Sequence, residues 1–480
     1  MPLILSGNVA SATAAAYEVA NSCRFNSADS ATLSIDMGTS SSRRTWTFST
    51  WVKLTKDTNA ENRNFVGTGA VDDQNHIGID GSGSVGNTKI ALRHHDGSSS
   101  DIHIQSNANY NDQSAWYHLV YAVDTTQGTD TNRVKLYVNG TQVTSLATST
   151  YPDQNYDWDF FQNGATTYIG RRGHSSAYLL DGYLAETVWI DGTQYAASDF
   201  GEFDSDSPTI WKPKNISGLT FGNAGFYLSY SDSADLGADS SGNSNDFTST
   251  NLAATDQATD TPTNNFATMN PLDIFYSDAT FSEGNCKVVG DNTKYAAVMS
   301  TIGMSSGKWY AEFKCTDAGS GYPMVGIKGK HPTSNGDGPG SATDGYAYYG
   351  YLGYKVTNAG VTSYGDAYTD DDIIGVAVDL DNNKIYWSKN GTFQDSGDPT
   401  SGATGTGSAF DLGAPSSGFY YFGVNQEDNA GNGTWDCNFG GCPAFTISSG
   451  NADADGYGNF EYAVPSGFYA LCTKNLAEYG

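Results

Sequence analysis

The sequence predicts an all-β protein, two antiparallel β-sandwiches of jelly-roll type joined by a Ser/Asp/Asn-rich connector. Three observations lead there. The chain holds 56 glycines and 31 tyrosines in 480 residues, with little leucine and few long charged side chains, a composition that favours strands and turns over long helices. No segment sustains the 3.6-residue apolar period with caps that a long helix needs. And one hairpin unit is written twice, once in each half of a chain too long for a single ordinary core.

The clearer copy is IIGVAVDLDNNKIYWSKNGTF, residues 373–393. Its apolar, β-branched opening suits a strand buried on both faces. The run Asp379-Leu380-Asp381-Asn382-Asn383 reads as a turn, and Lys384 to Lys389 as a second strand closed by Asn390-Gly391. Asn-Gly is the strongest short hairpin signal, because both central residues of a type I′ turn need positive φ. The other copy is WYHLVYAVD, residues 116–124, then VKLYVNGT, residues 134–141.

Taken in order, residues 1–22 are Ala/Ser/Thr-rich with an interrupted apolar stretch and no basic flank, unlike a signal peptide, and form an attachment segment. The first sandwich is expected over 23–213. In it TWTFSTWV alternates with period two and puts Trp46 and Phe48 toward a core, with Trp51 a further candidate; Lys89–Arg93, Ile102–Ile104, Thr167–Gly170 and Leu184–Ile190 are further strands. Residues 214–271 set six aspartates against Lys214 and read as a connector with a short hairpin at Gly225–Tyr230. The second sandwich is expected over 272–480, ending in a strand pairing from NFEYAVPSGFYALCTKNL.

Three pieces of the first half, TWTFSTWVK, WYHLVYAVD with VKLYVNGTQV, and YIGRR followed by LDGYLAETVWIDGTQYAASDF, resemble the concanavalin A-like, laminin G-type jelly-roll domains. From Leu272 onward GKWYAEFKC, PMVGIKG, the hairpin already quoted, FYYFGVNQ and WDCNFGG resemble the SPRY family, another β-sandwich. Chains joining these modules resemble virion appendage proteins of marine phages. That resemblance implies a virion location, other virion proteins as partners, and a homo-oligomer, with a trimer favoured.

Acidic residues outnumber basic ones 53 to 24, for a net charge of −29. Such a surface repels phosphate backbones and anionic headgroups, so neither nucleic acid nor a polybasic membrane contact is expected. No stretch reaches the roughly 20 apolar residues of a membrane helix. The six cysteines form no CxxC pair and no Cys/His metal pattern, and are expected to be buried thiols.

Glycanases on a concanavalin A-like scaffold need two carboxylates flanking the bond, commonly from an E-x-D-x-E strand. The nearest stretch, Glu202-Phe203-Asp204-Ser205-Asp206, has one glutamate and reads as a surface turn. His94-His95 lies beside Asp96, and His118 follows a Trp-Tyr pair as a core-edge residue; no Ser or Cys joins a His and an acid in a nucleophile motif. The loop Tyr151–Phe161 gathers aromatics among acids and amides. Its Asn155, Tyr156, Asp157 and Trp158 are the candidate carbohydrate platform, set against a loop whose aromatics fold back onto the core. Asn451, Asp453 and Asp455, ahead of Gly456, resemble the start of a calcium loop, but Glu461 falls one residue early, so a plain turn competes with a weak calcium site. No other cofactor is expected. Asn-x-Ser/Thr triplets stand at Asn139, Asn215, Asn390 and Asn432, two of them in the hairpin turns. The function expected is non-enzymatic: a tail or head-surface fibre protein for assembly and host-glycan adhesion. The alternatives are a glycan hydrolase and a bacterial surface adhesin.

Overall fold

The computed structural model describes residues 17–55, 63–68, 75–80, 87–95, 101–161, 163–173, 178–272, 279–290, 296–319, 323–334, 337–426 and 433–480. Residues 1–16 of the expected attachment segment, Asp96 and the Asn432 triplet lie outside them. The described chain forms two compact units that meet in sequence between Thr263 and Asn264.

The first unit has strands β1 (Ser22–Phe25), β2 (Thr32–Asp36), β3 (Thr45–Leu54), β4 (Arg63–Thr68), β5 (Asn75–Asp80), β6 (Lys89–His95), β7 (Asp101–Ser106), β8 (Trp116–Asp124) and β9 (Val134–Val138). There follow β10 (Thr141–Gln142), β11 (Leu146–Thr150), β12 (Thr166–Ile169), β13 (Gly182–Asp191), β14 (Gly201–Phe203), β15 (Trp211–Pro213), β16 (Phe226–Leu228), β17 (Thr248–Thr250) and β18 (Gln257–Ala258). One antiparallel sheet runs β10-β9-β8-β3-β13-β1-β18, with β16 also on β13; the facing sheet runs β11-β7-β6-β5-β4-β12-β2-β17. Sequence neighbours are thus shared between two sheets, as in a jelly roll. Between them pack Trp46, Phe48, Leu119 and Tyr121 from one sheet and Val66, Ile77, Ile79, Leu92 and Ile104 from the other. Each such side chain contributes about 1.5–3 kcal/mol of transfer free energy. Trp51, at odd parity to Trp46 and Phe48, faces away from this core and stacks on His118 with ring centres 4.7 Å apart.

The expected boundaries at both ends of this unit need correction. Tyr17–Ser22 belong to the sandwich: Val19 is buried and its N–H donates to Thr263, and β1 begins at Ser22. Residues 214–263 are no connector. β16, β17 and β18 pair with β13, β2 and β1, and Phe226, Leu228, Tyr230, Leu236 and Phe247 lie in the main core. The Asp-rich composition that suggested a linker is turn chemistry. Asp232, Asp235 and Asp239 each accept the backbone N–H two residues on, and Asp246 accepts from Asp239 N.

In the second unit one antiparallel sheet runs Thr280–Ser282, Lys287–Val289, Thr434–Asn438, Lys308–Asp317, Ile373–Asp379, Lys384–Lys389. The other runs Ala296–Met299, Tyr421–Gln426, Pro323–Lys328, Gly345–Tyr349, Tyr354–Thr357, Gly360–Ser363. Trp309, Phe313, Val376, Trp387 and Trp435 pack with Val325, Ile327, Tyr348 and Phe422. Both duplicated hairpins form. Val138 pairs with Thr141 across Asn139-Gly140, and Lys389 with Thr392 across Asn390-Gly391, all four turn residues having positive φ as type I′ requires. The tail departs in part from expectation: Tyr469–Ala470 pairs parallel with Trp309–Tyr310, but Thr473–Tyr479 is a short helix. All six cysteines are buried free thiols. Among the described residues no helix is long and apolar enough to cross a membrane.

Candidate functional site

The loop singled out as a carbohydrate platform is organised from the inside. Trp158 is 1% exposed, with Trp46 edge-on at 5.6 Å and Phe160 stacked at 5.9 Å. Its backbone is pinned to Arg43, whose carbonyl accepts Trp158 N–H at 2.9 Å and whose Nε donates to Trp158 O at 2.7 Å. Tyr156 shares a hydrogen bond with His94 Nδ1 at 2.9 Å, and Asp157 forms an exposed ion pair with Arg44 at 2.8 Å. Asn155 is exposed at a left-handed turn position. Trp158 therefore offers no flat face to a sugar. A tryptophan buries too much apolar area to stay out when the core is one residue away.

The acidic loop near the C-terminus is likewise structural. Asp453 Oδ1 accepts the backbone N–H of Asp455 and of Tyr457, while Oδ2 accepts Ala470 N–H and Asn475 Nδ2. Asn451 bridges to Phe460, and its Nδ2 donates to Glu461 O at 2.9 Å. With both carboxylate oxygens turned to N–H donors, Asp453 holds the turn and does not face a cation with Asn451 and Asp455. Among the described residues no three His, Cys, Asp or Glu side chains are grouped to hold a metal.

Two buried ionisable groups could suggest catalysis. His118 Nε2 lies 2.9 Å from Ser49 Oγ, which looks like half a nucleophile pair, but its Nδ1 accepts from Trp211 Nε1 at 3.0 Å. An indole donor there fixes the Nε2–H tautomer, so the ring donates to Ser49 and cannot take its proton; burial holds the imidazole neutral, its pKa pushed down to about 3. Glu312 is fully buried and accepts from Tyr310, Asn438 and the backbone of Glu461 and Tyr462, and so clamps the segment 461–462.

A different surface gathers unsatisfied polar chemistry. In β4 to β7 the core takes Ile77 and Ile79, Ile90 and Leu92, Ile102 and Ile104. The alternate positions therefore look outward. On that face His76 stands directly opposite Arg93, and Arg93 opposite His103, a row across three strands. The next row is Gly78, Ala91 and Gln105. Its first two members are small, which lets longer neighbours lean together over them. Gln105 Nε2 donates to Asp80 Oδ2 at 2.7 Å, and His103 Nε2 stands 3.3 Å from the same oxygen without the alignment of a hydrogen bond. On the other side Gly67, opposite His76, lets the Arg171–Gly173 backbone cross directly over it: a Cβ there would meet Arg172 Cα at 2.7 Å.

This face was not foreseen as a site, although the strands of Lys89 and Ile102 were. The available signal was the spacing of NHIGID, KIALRHH and DIHIQS, which sets His and Arg at alternate positions of three consecutive strands.

Comparison with known proteins agrees with this architecture. Residues 26–195 match the laminin G-type profile of the concanavalin A-like lectin/glucanases superfamily, and residues 308–410 match the SPRY domain. The ATP-dependent RNA helicase DDX1 of Xenopus laevis is 31% identical over 124 residues, 26% of this chain and 16% of the helicase, so only a small part of that relative is spanned. Among solved structures, the SPRY domain of human HERC1 is 16% identical with a TM-score of 0.29, covering 35% of this chain and 96% of that domain. A second human SPRY domain is 17% identical with a TM-score of 0.24, covering 32% and 90%. The chain carries a concanavalin A-like domain of laminin G type followed by a SPRY domain.

Proposed function

We propose that the chain is a non-enzymatic virion protein, of a tail fibre or head-surface fibre, that assembles with other virion proteins and adheres to host-surface glycan. The observation that carries the reading is the outward face of β4 to β7, where hydrogen-bonding and charged side chains converge with the makings of a binding site and not of a hydrolase. Glycoside hydrolysis sets two carboxyl groups about 5–10 Å apart. Among the described side chains of β4 to β7 and β12, Asp80 is the one carboxylate, and Gln105 holds it. Asp36 lies on β2, three strands from β5 and so about 14 Å away on strand spacing alone.

The virion assignment rests on the pairing of these two modules in one chain and on an acidic surface that keeps it soluble and away from nucleic acid. Weak, polar sites gain strength by number, with avidity about 10²–10⁴ above a single site when geometry permits, so a trimer on the particle is the favoured state. The test has two arms. A map of the intact particle should place the chain on a fibre, and the purified chain should bind host polysaccharide without releasing reducing ends. Absence from the particle, or turnover abolished by changing one carboxylate, overturns the reading.

A further inference from the structure

Two of the six buried thiols face each other across a strand pair in the second sandwich. The strand Lys287–Val289 runs antiparallel to Thr434–Asn438, with Lys287 opposite Asp436, Val288 opposite Trp435 and Val289 opposite Thr434. One step further Cys286 stands opposite Cys437, and the Cys437 N–H donates to Cys286 O at 2.6 Å, so the ladder reaches this pair. Side chains alternate along a strand, so Cys286 points with Val288 and Cys437 with Trp435, both into the core. Residues opposite each other in a hydrogen-bonded antiparallel pair have Cα atoms about 5.5 Å apart, inside the range of about 4.4–6.8 Å that a disulfide spans. Their Cβ atoms, about 4.5–5.5 Å apart, have to close to about 4 Å. The end of the ladder can give that much, because the Cys286 N–H donates to Glu283 O in the preceding turn and not across the strands.

Two other cysteines near this strand are placed less well. Phe313 is the residue facing Cys437 from the other side, and Cys315 faces Trp435. That diagonal is about 7–8 Å at Cα, beyond the reach of a disulfide. Cys442 comes after the strand has ended, in the loop whose Ala444 N–H returns to Cys437 O. In the folded chain the facing pair is shut away from reagents. Cys286 is 2% exposed and Cys437 0%, and burial pushes the Cys437 thiol well above its ordinary value, which suppresses the thiolate that exchange needs. Exchange therefore has to take place while the chain folds, before the core closes over the pair.

We propose that Cys286 and Cys437 form a redox modification site, joined by a cross-strand disulfide when the chain folds in the presence of a small-molecule disulfide such as glutathione disulfide. The Cys286 thiolate attacks one sulfur of glutathione disulfide; that S–S bond breaks, a mixed disulfide forms, and one glutathione leaves as thiolate. The Cys437 thiolate then attacks the Cys286 sulfur, forming the cross-strand bond and expelling the second glutathione. Two protein thiols are oxidised, one glutathione disulfide is reduced to two glutathiones, and the two thiol protons end on the departing thiolates. Closure of the core then seals the bond, so the chain keeps the covalent form in which it folded. The bond ties the hairpin of residues 280–289 to the strand Thr434–Asn438.

The test unfolds and reduces the full chain, then refolds it either with reduced dithiothreitol or with mixed reduced and oxidised glutathione. Remaining thiols are alkylated after denaturation. Intact mass should show six alkyl groups on the first product and four on the second, with a proteolytic map linking Cys286 to Cys437. A chain folded reduced and only then given the glutathione mixture for the same time should keep all six thiols. Cys286→Ala and, as a second variant, Cys437→Ala should each carry five alkyl groups under both refolding conditions. Six alkyl groups after oxidative refolding of the wild type, a bond from Cys437 to Cys442 or Cys315 in place of the expected one, or equal oxidation of the folded chain overturns the proposal.

Discussion

The fully buried carboxyl of Glu312 should make the second sandwich lose stability as pH rises through neutrality. It accepts from Tyr310 at 3.2 Å, Asn438 at 3.1 Å, Glu461 N at 2.9 Å and Tyr462 N at 2.8 Å. Burial pushes it from 4.5 up to about 7 against the downward pull of those donors. Between these values the folded chain holds a proton that the unfolded chain has released. Stability is then fully present below pH 4.5 and falls until pH passes about 7. The difference, 7 − 4.5 = 2.5 units, converts at 1.36 kcal/mol per unit to about 3 kcal/mol. Its neighbours do not confuse the window: Tyr310 and Tyr462 are raised above their ordinary value and Glu461 is held below its own. The assay is urea unfolding of the whole chain at pH 5, 6, 7 and 8, with the second-sandwich transition identified by its response to Glu312→Gln. The amide cannot titrate and turns its NH₂ against two of the four donors, so that transition should weaken by about 1–3 kcal/mol and become flat across the window. A wild-type transition independent of pH, or a glutamine variant with the wild-type slope, refutes the reasoning.

Three further outcomes follow from the corrected geometry. Trp158→Ala empties a site walled by Trp46 and Phe160 and should cost about 3–5 kcal/mol in denaturant unfolding; a loss below 1 kcal/mol would return the loop to the surface. Phe226→Ala should destabilise the first sandwich by a similar amount, since Phe226 packs on Phe161 and Phe247 in its core, whereas a true connector would tolerate the change. Asp453→Ala strands four N–H donors and should lower the melting temperature, while chelator and added calcium leave the wild-type value unchanged; a calcium-dependent shift would restore the cation reading.

The sequence made legible what local chemistry decides. Asn139-Gly140 and Asn390-Gly391 announced their turns because positive φ at two consecutive positions admits almost no other pair. The strand Ile373–Asp379 announced its two-sided burial through unbroken apolarity. Illegible was whatever depended on distant partners. β16, β17 and β18 have only two or three residues each, too few for a period, and their place in the sandwich comes from pairing with strands far away in sequence. Trp158 and Asp453 carried the right chemistry for a sugar platform and a cation ligand. What disqualified them was the direction of neighbouring groups, Trp46 above the indole and N–H donors on both carboxylate oxygens. His76 failed in the opposite sense, since a lone histidine in NHIGID shows nothing until the register sets it beside Arg93.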